Sequence, residues 1–279
     1  MPIKRTLTRG ASTGDTLTHA GTLQRNDGST IAYDIAGDGP PVVFIHGLTS
    51  FRQTWDPITT LLAPDFACVR MDLRGHGASS AAQEYSMQSL VGDVRAVVEE
   101  VGLGEPAVVG HSLGASIAAV YAAAHGVRTV VCVDQSLRFG EFAALVQARA
   151  DDLRSPRTME AVVSIDRALR LEPYADVEEL ERRVLAFPRE VVLGIWDALL
   201  TTPPEQLTTI AEALLLRLSA PLLSLHGSPP PPDYESWLAG LARGARIEVW
   251  EGAGHMLHLV HPERFAAHVR PLLRDAAAP

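Results

Sequence analysis

Short buried strands alternate with helices along most of this chain, and this alternation constrains the fold more than any other feature. Apolar runs at 40–47 (PPVVFIHG), 66–71 (FACVRM) and 128–136 (RTVVCVDQS) each lead into a glycine-rich or polar loop, and helical patterns separate them. Strands that are apolar on both faces are typical of a parallel sheet with helices on both sides. The sequence therefore predicts an α/β fold with a mostly parallel, doubly wound sheet.

The alternation stops between Leu137 and Leu218, where the pattern is helical throughout. Apolar residues recur there at helical spacing, for example at Val177, Leu180 and Val184. We interpret this stretch as a helical cap, or lid, inserted between two strands of the sheet.

The predicted chain thus has one core domain and two further segments. The first residues are polar and unpatterned, so we expect a flexible N-terminal segment there. Next to it, the dipeptide Asp27-Gly28 between two alternating runs predicts a hairpin with a type I′ turn. The predicted boundaries are 1–19 for the N-terminal segment, 20–136 and 219–279 for the core, and 137–218 for the cap.

Charge and hydropathy limit the partners of the chain. The net charge of −9 over 279 residues opposes binding to nucleic acid or to an anionic membrane. No apolar run reaches the roughly 20 residues of a membrane span, and the first twenty residues lack the apolar core of a signal peptide. We expect a cytoplasmic protein that acts on a small molecule, with no nucleic acid or membrane partner. The sequence leaves its oligomeric state open.

The pentapeptide GHSLG (110–114) fits the pattern G-x-S-x-G and lies between an apolar strand and an alanine-rich helix. A serine on such a sharp strand-to-helix turn has its hydroxyl pushed into the open. The flanking glycines relieve the crowding of the turn, and the helix N-terminus supplies positive potential. This setting predicts Ser112 as a nucleophile, against the alternative of a serine that only caps a helix.

Four motifs in order give the chain a resemblance to the α/β-hydrolase family. They are HG (46–47), DLRGHGAS (72–79), GHSLG (110–114) and GAGH (252–255), each placed after a predicted strand. The resemblance implies a sheet of about eight strands, a helical cap over a pocket, a nucleophile at Ser112 and a base at His255.

The chemistry of the residues agrees with a base at His255. A serine hydroxyl needs an imidazole to take its proton. Among the ten histidines, His255 is the one in a glycine-rich loop after a late strand, which places it at the same sheet edge as Ser112. Four others flank a glycine at a strand end, where we expect hydrogen bonding within turns: His46, His76, His111 and His226.

The spacing of His255, His258 and His261 suggests a metal site at first. The three residues, however, run across a loop and into Pro262, which is poor geometry for a shared ligand. We predict no metal site and no cofactor.

The oxyanion that forms during acyl transfer needs two aimed backbone N–H groups. Leu113, directly after the nucleophile, is expected to supply one, and by resemblance to the family Leu48 supplies the other. Phe51 and Trp55 follow closely, and either could floor an acyl pocket or pack in the core.

The histidine also needs a carboxylate that fixes its tautomer. In the family this acid usually stands three residues beyond the glycine that ends the strand at 220–227, where this chain has Pro230. Asp134 ends the strand that follows the nucleophile's helix, and resembles the acid of those members that carry it one strand earlier. Asp134 is therefore the predicted acid.

Other sources for the acid stay open. Asp233 is the nearest carboxylate after the proline run, but four prolines advance roughly 12 Å and cannot fold back tightly. Asp233 also suits the N-cap of the next helix. Two further alternatives are a dyad of Ser112 and His255 without an acid, and a carboxylate that is not identified in the sequence. Asp72 is interpreted as a structural anchor of its loop.

The first functional hypothesis is a serine hydrolase that cleaves an ester, thioester, lactone or related acyl bond of a mid-sized hydrophobic molecule through an acyl-enzyme. A serine at position 112 disfavours the family's haloalkane dehalogenases and epoxide hydrolases, which use an aspartate there. Acyl transfer and carbon–carbon bond cleavage use similar machinery and stay open. Cap residues that could line the pocket are Phe139, Phe142, Trp196 and Leu199.

The second hypothesis is a ligand-binding receptor with little turnover. The displaced acid favours it, because a weakly oriented histidine is tolerable when little catalysis is needed. The intact serine, histidine and oxyanion loops oppose it.

Overall fold

The apolar runs form the strands of one sheet in a computed structural model, which describes residues 17–169 and 174–275. Within those residues the sheet has eight strands in the order β1-β2-β4-β3-β5-β6-β7-β8. Neighbours pair in parallel from β4 onward in that order, and the β1–β2 and β2–β4 pairs are antiparallel. The strands are β1 Leu17–Gln24, β2 Thr30–Ala36, β3 Pro41–Ile45, β4 Ala67–Met71, β5 Ala107–His111, β6 Val130–Val133, β7 Leu222–His226 and β8 Arg246–Val249.

Thirteen helical segments accompany the strands in the described residues. A 3₁₀ helix, Arg52–Trp55, precedes α1. The α-helices are α1 Asp56–Leu62, α2 Met87–Val101, α3 Leu113–Ala124, α4 Phe139–Gln147, α5 Ala150–Arg154, α6 Thr158–Ala168, α7 Val177–Leu185, α8 Arg189–Thr201, α9 Pro204–Leu215, α10 Tyr234–Leu241, α11 Leu257–Val260 and α12 Pro262–Asp275.

Helices cover both faces of the sheet, as the doubly apolar strands require. On one face, β-strand residues pack in a cluster with Leu90 and Val94 of α2 and with Ile117 of α3. On the other face, a second cluster includes Ile58 of α1 and Phe265 of α12. The predicted α/β fold with a mostly parallel sheet is confirmed.

Local signals explain several element ends. The helical pattern from residue 86 forms α2, where the Ser86 hydroxyl accepts a hydrogen bond from the Ser89 N–H at 3.2 Å and so caps the N-terminus. At the other end Gly102 adopts the left-handed conformation, with φ of 72°, that commonly closes a helix.

The hairpin prediction is wrong in its turn type. β1 and β2 are joined by residues 25–29, and Gly28 has a positive φ of 84° whereas Asp27 does not. A type I′ turn needs positive φ at both positions. The Asp27 carboxylate instead accepts hydrogen bonds from the N–H and hydroxyl of Ser29 at 2.9 and 2.6 Å, which favours a longer loop.

The predicted N-terminal boundary also shifts. β1 begins at Leu17, and Leu17 and His19 pair with β2, so residues 17–19 belong to a strand. The rest of that predicted segment, residues 1–16, lies outside the described residues.

Six helices, α4 to α9, lie between β6 and β7, where the sequence predicted an insertion at 137–218. They have an apolar cluster of their own, which includes Val146, Val162, Ile165 and Trp196. Leu48, from the loop after β3, packs against this cluster. The segment therefore contacts the sheet edge from which the candidate site residues project.

In the part of the chain that the structure describes, no helix has the length and apolar character needed to cross a membrane.

Candidate active site

Ser112 lies on the strained turn between β5 and α3. Its φ of 52° and ψ of −121° fall in a region that non-glycine residues rarely adopt. Its N–H donates to the carbonyl of Val133 at 2.9 Å, and its own carbonyl accepts from Ala115 at 2.9 Å, so both neighbouring elements hold the turn. The side chain is partly exposed and faces a large cavity.

The two glycines of GHSLG are required by close packing. A Cβ on Gly110 would lie 2.1 Å from the carbonyl oxygen of Gly114, and a Cβ on Gly114 would lie 2.2 Å from that of Ile45. Real Cβ atoms do not approach oxygen so closely, so larger residues would displace the turn or β3. The two glycines therefore allow α3 to pack closely against the sheet while Ser112 stays partly exposed.

His255 follows β8 in a loop that is tied to its neighbours. Gly254, just before it, donates its N–H to the Gly227 carbonyl at 3.2 Å. The carbonyl of His255 itself meets Nε2 of His111 at 2.9 Å. Burial, and then the nearby rings of His258 and His255, hold the pKa of His111 well below its ordinary value, so the ring is neutral and Nε2–H donates. His111 thus links the loop of Ser112 to that of His255.

Asp134 follows β6 and meets the His255 ring. Its Oδ2 lies 2.7 Å from Nδ1 of His255, and its Oδ1 accepts the N–H of Gly227 at 2.7 Å. Burial opposes the charge on Asp134, but the hydrogen bond and charge of His255 and the Gly227 N–H outweigh it and hold the pKa of Asp134 below its ordinary value. The carboxylate is therefore ionised at neutral pH.

The backbone of Asp134 makes this contact reachable. Its φ is 48°, in the left-handed region that aspartate tolerates better than most residues, and its N–H donates to the Leu225 carbonyl at 2.7 Å. The turn at the end of β6 therefore directs the side chain toward β7 and β8.

Asp233, the alternative acid, lies elsewhere. It stands at the N-cap position of α10, but its side chain forms no cap hydrogen bond. Its carboxylate is 70% exposed and accepts from Arg138 Nη1 at 3.0 Å. Asp233 is thus engaged at the surface in an ion pair.

Asp72 anchors its loop. Its carboxylate accepts from the N–H of Arg52 at 2.7 Å and from that of Ala78 at 2.9 Å, and the Arg52 guanidinium also binds it. These contacts fasten the loop after β4 to the 3₁₀ helix after β3.

The two backbone N–H groups predicted for the oxyanion belong to residues that line the same cavity as Ser112. Leu113 begins α3, and Leu48 precedes Thr49, which has a φ of 60°. Among the described residues, no hydrogen-bond acceptor is found for the N–H of Leu48 or Leu113. His46 fixes the Leu48 loop because its Nδ1 bonds the Gly47 carbonyl at 2.7 Å and its Nε2 accepts the Leu73 N–H at 3.0 Å.

A cavity of about 1210 Å³ opens above these residues. Its wall is mainly apolar, and it includes the four insertion residues singled out from the sequence, Phe139, Phe142, Trp196 and Leu199. Trp55 is fully buried instead, against Phe44 and Phe265. Phe51 lies beneath the Arg183 guanidinium, 5.3 Å from its ring centroid. Trp55 therefore packs in the core and Phe51 contacts α7, and neither is among the residues that line the cavity.

Comparison with known proteins agrees with this geometry. The sequence profile of the alpha/beta hydrolase family matches residues 42–268, which is most of the chain. The chain belongs to the α/β-hydrolase family. The predictions of the family and of a hydrolase enzyme are confirmed.

Individual relatives of this hydrolase are more distant. A Mycobacterium tuberculosis protein named "Putative non-heme bromoperoxidase BpoC" is 29% identical over 181 residues, which cover 62% of this chain and 65% of the relative. The 2-(acetamidomethylene)succinate hydrolase of Mesorhizobium japonicum is 34% identical over 101 residues, 36% of its length. The matched regions thus span less than two thirds of these relatives.

The solved structure of the esterase EaEST from Exiguobacterium antarcticum superposes with a TM-score of 0.74. It is 20% identical, and the match covers 92% of this hydrolase and all of that chain. At this identity the likeness shows the fold alone.

One cavity residue of the hydrolase has no counterpart in the sequence-based predictions. Asp166, on α6, lines the cavity that holds Ser112 and His255. Burial raises the pKa of Asp166 to about 6, with the charge of His255 opposing this rise and that of Glu181 adding to it. In the sequence this residue looks like any polar position of a helix, so no signal could have found it.

Two other histidines form hydrogen bonds close to their own positions in the chain. His76 and His226 bond within their own loop and strand, to the Arg74 carbonyl at 2.9 Å and the Ser224 hydroxyl at 2.8 Å. His258, one of the histidines considered for a metal site, is buried with its ring 4.7 Å from Trp55 and 4.4 Å from His111. His258 therefore packs against Trp55 and against His111, the residue that precedes Ser112.

Proposed function

We propose that the protein is a serine hydrolase that cleaves an ester, thioester, lactone or related acyl bond of a mid-sized hydrophobic small molecule through an acyl-enzyme. Ser112 is the nucleophile, His255 the general base and Asp134 the acid that orients it. The observation that carries the proposal is the 2.7 Å contact between Asp134 and His255 Nδ1, together with a strained, partly exposed Ser112 that lines the same cavity as His255.

The roles follow from the hydrogen-bonding capacity of each group. An ionised Asp134 can only accept a hydrogen bond, so Nδ1 of His255 must carry the hydrogen. Nε2 of His255 is therefore left unprotonated and acts as the acceptor. That tautomer is the one that can take a proton from a serine hydroxyl. Asp134 also stabilises the imidazolium that forms in the step.

The acyl-transfer cycle then balances without any further group. Ser112 Oγ attacks the acyl carbon as Nε2 of His255 takes its proton, and the carbonyl oxygen becomes an oxyanion between the N–H groups of Leu48 and Leu113. Collapse breaks the bond to the leaving group, which receives the proton from His255. A water molecule then gives a proton to Nε2 of His255 and attacks the acyl carbon, and His255 returns that proton to Ser112 Oγ as the carboxylic acid product leaves. Oxyanion donors of this kind contribute roughly 3–4 kcal/mol each in other enzymes.

The insertion supports a hydrophobic substrate. We propose that residues 137–218 act as a cap, because they have their own apolar cluster and contribute Phe142 and Trp196 to the cavity wall. An apolar, covered site excludes bulk water during acylation. The volume of about 1210 Å³ slightly exceeds the roughly 300–1,000 Å³ of typical small-molecule pockets, so it accommodates a mid-sized molecule.

One relative points the same way. The Mesorhizobium relative is named a hydrolase of 2-(acetamidomethylene)succinate. The receptor alternative was favoured by a displaced, weakly orienting acid. The short contact from Asp134 to His255 removes that support. Acyl transfer and carbon–carbon bond cleavage would use the same residues and are separated by product analysis.

The test is covalent labelling of the serine. A fluorophosphonate should modify the parent protein at Ser112, as located by mass spectrometry of its peptides, and Ser112→Ala should take up none. A p-nitrophenyl ester should give a burst of p-nitrophenol equal to the enzyme concentration.

Ser116→Ala serves as a matched control, because Ser116 lines the same cavity one helical turn later. It should label like the parent. An unlabelled parent, or a Ser112→Ala variant that labels normally, would overturn the proposal.

A further inference from the structure

The cavity of the hydrolase holds a partly buried carboxylate that the proposed acyl-transfer steps do not use. Asp166 lies in the third turn of α6 and lines the cavity together with Leu169, Phe142 and His255. No described side chain or N–H group donates a hydrogen bond to its carboxylate. It is partly buried.

The packing of α6 explains why this side chain faces the cavity. Met159, Val162, Val163 and Ile165 of α6 belong to the apolar cluster of the insertion and fix the helix by burial. Asp166 follows that face, beside Leu169, at the edge of the helix that borders the cavity. Its position is therefore set by the helix and does not depend on a flexible loop.

The surroundings of Asp166 leave its charge without a described partner. Two described titratable groups act on it, His255 at the sheet edge and Glu181 on α7. Glu181 is itself bound by the Arg167 guanidinium through two contacts of 2.5 and 2.6 Å. A carboxylate in an apolar wall without a hydrogen-bond donor is costly, and a donor supplied by a ligand would remove that cost.

We propose that Asp166 binds a hydrogen-bond-donating group of the substrate, an ammonium or a hydroxyl, and thereby selects substrates that carry such a group on an otherwise apolar body. The proposal deepens the proposed function, on which it rests. Asp166 is a specificity-determining residue in this scheme, and Ser112, His255 and Asp134 perform the chemistry.

The other charged residues of the cavity also favour a substrate with an ammonium or hydroxyl group over a substrate with an anionic group. Glu84 and Asp197 line its exposed parts, and both add negative potential. Among the described lining residues, the guanidinium of Arg95 is bound by Glu99 at 2.7 Å. An anionic substituent would therefore meet repulsion near Asp166, and an ammonium would form a charge-assisted hydrogen bond.

The experiment uses fluorophosphonates whose tails end in a methyl, a hydroxyl or an ammonium group, in several matched chain lengths. The measured quantity is the second-order rate constant for labelling of Ser112. In the parent, the ammonium probe of the best length should react at least about tenfold faster than its methyl counterpart, with the hydroxyl probe between them.

Two substitutions at Asp166 separate charge from hydrogen bonding. Asp166→Asn keeps an acceptor but loses the charge, so the ammonium preference should fall to about threefold or less while part of the hydroxyl preference stays. Asp166→Leu removes both, so both preferences should disappear and the methyl probe should become the fastest. In both variants the labelling rate with the ammonium probe must fall much more than the rate with the methyl probe.

Glu160→Gln is the matched control. Glu160 lies on the same helix, is exposed and is absent from the cavity wall, so this change removes an equal charge from the same element. It should leave the ratio of ammonium to methyl rates unchanged. If this ratio fell as much as it does in Asp166→Asn, the preference would come from the net negative charge of the protein, and the proposed contact with Asp166 would be wrong.

The pH dependence gives a readout that a structural role would not produce. Because the pKa of Asp166 is raised to about 6, its carboxylate loses its proton as pH rises through that value. The ratio of ammonium to methyl rates should therefore rise between about pH 5 and about pH 8 in the parent and stay flat in Asp166→Asn.

The outcomes distinguish this inference from the proposed function. If Ser112 labels but every tail reacts at the same rate, or if Asp166→Asn slows all tails equally, the recognition role of Asp166 is wrong and the serine hydrolase stands. If no probe labels Ser112 in the parent, the proposed function itself fails.

Discussion

Two neighbouring loops at the same edge of the sheet contrast sharply in this hydrolase. The loop after β6 carries Asp134, whose carboxylate is engaged by His255 and by the N–H of Gly227. The loop after β7 carries a run of prolines and then Asp233, which is 70% exposed and paired with Arg138. The loop where the family usually has its acid thus supplies a backbone donor to an acid on the adjacent loop.

The difference shows that position in space, and not position in the chain, decides which carboxylate reaches the His255 ring. β6 and β7 are adjacent and parallel, with Val133 opposite Leu225, so both loops leave at the same level. Adjacent strands lie about 4.8 Å apart, so a ring held after β8 is one strand spacing from the loop after β7 and two spacings, about 10 Å, from the loop after β6. The left-handed φ of Asp134 turns its side chain toward the neighbouring strands, and the hydrogen bond from the Gly227 N–H holds the carboxylate there.

The largest expected effect comes from Asp134→Asn. The amide oxygen can still accept the Gly227 N–H, so the loops should keep their arrangement. The amide nitrogen, however, can only donate to Nδ1 of His255, which forces the hydrogen onto Nε2 and leaves no base for Ser112. We expect kcat for an activated ester to fall by about 10⁴-fold, as the same change does in other triads.

Unfolding in urea should accompany this measurement, because loss of the fold would mimic loss of catalysis. A folded Asp134→Asn variant with near-parental kcat would contradict the role of Asp134 and reopen the search for the acid.

The position of Asp134 was within reach of sequence reasoning because it depends on local rules. An apolar strand ends there directly after the helix that follows Ser112, and carboxyl ends of parallel strands gather at one edge. The same rules predicted the turn around Ser112 and the loop of His255. Strand alternation also predicted the sheet, because burial of both faces leaves a clear pattern in the residues.

Other features were beyond such rules because long-range packing sets them. Helical periodicity in the insertion could not say which side of α6 faces the cavity, so Asp166 carried no signal. His111 was expected to bond within its turn, whereas it reaches the carbonyl of His255, 144 residues away in the chain. The Asp27 carboxylate overrode the turn type expected from Asp27-Gly28 by bonding Ser29.

A smaller effect is expected from Gly227→Ala, which tests whether the β7 loop serves the site through its backbone. A Cβ there would lie 1.9 Å from the carbonyl oxygen of Gly254, directly before His255. The two loops must separate to admit it, at a cost of about 1–3 kcal/mol in the free energy of unfolding. The separation should also weaken the contact between Asp134 and His255, so kcat should fall, although less than in Asp134→Asn.

Gly240→Ala is the control for that substitution. Gly240 lies in α10, and a Cβ there would meet nothing within 4 Å. Alanine should raise the free energy of unfolding by up to about 1 kcal/mol because it favours the helix, with no change in kcat. Equal stability of the two variants in urea would contradict the close approach of Gly227 to Gly254.

The smallest effect is expected from Asp233→Asn, which removes the carboxylate of the β7 loop. Its partner Arg138 also binds Glu141 at 2.9 Å, and the pair is exposed, so the free energy of unfolding should change by less than about 1 kcal/mol. Because this carboxylate is committed to the surface, kcat should stay within about twofold of the parent value. A loss that approaches that of Asp134→Asn would mean that the β7 loop rearranges during turnover to bring Asp233 to the histidine, and the contrast between the two loops would then describe the resting enzyme only.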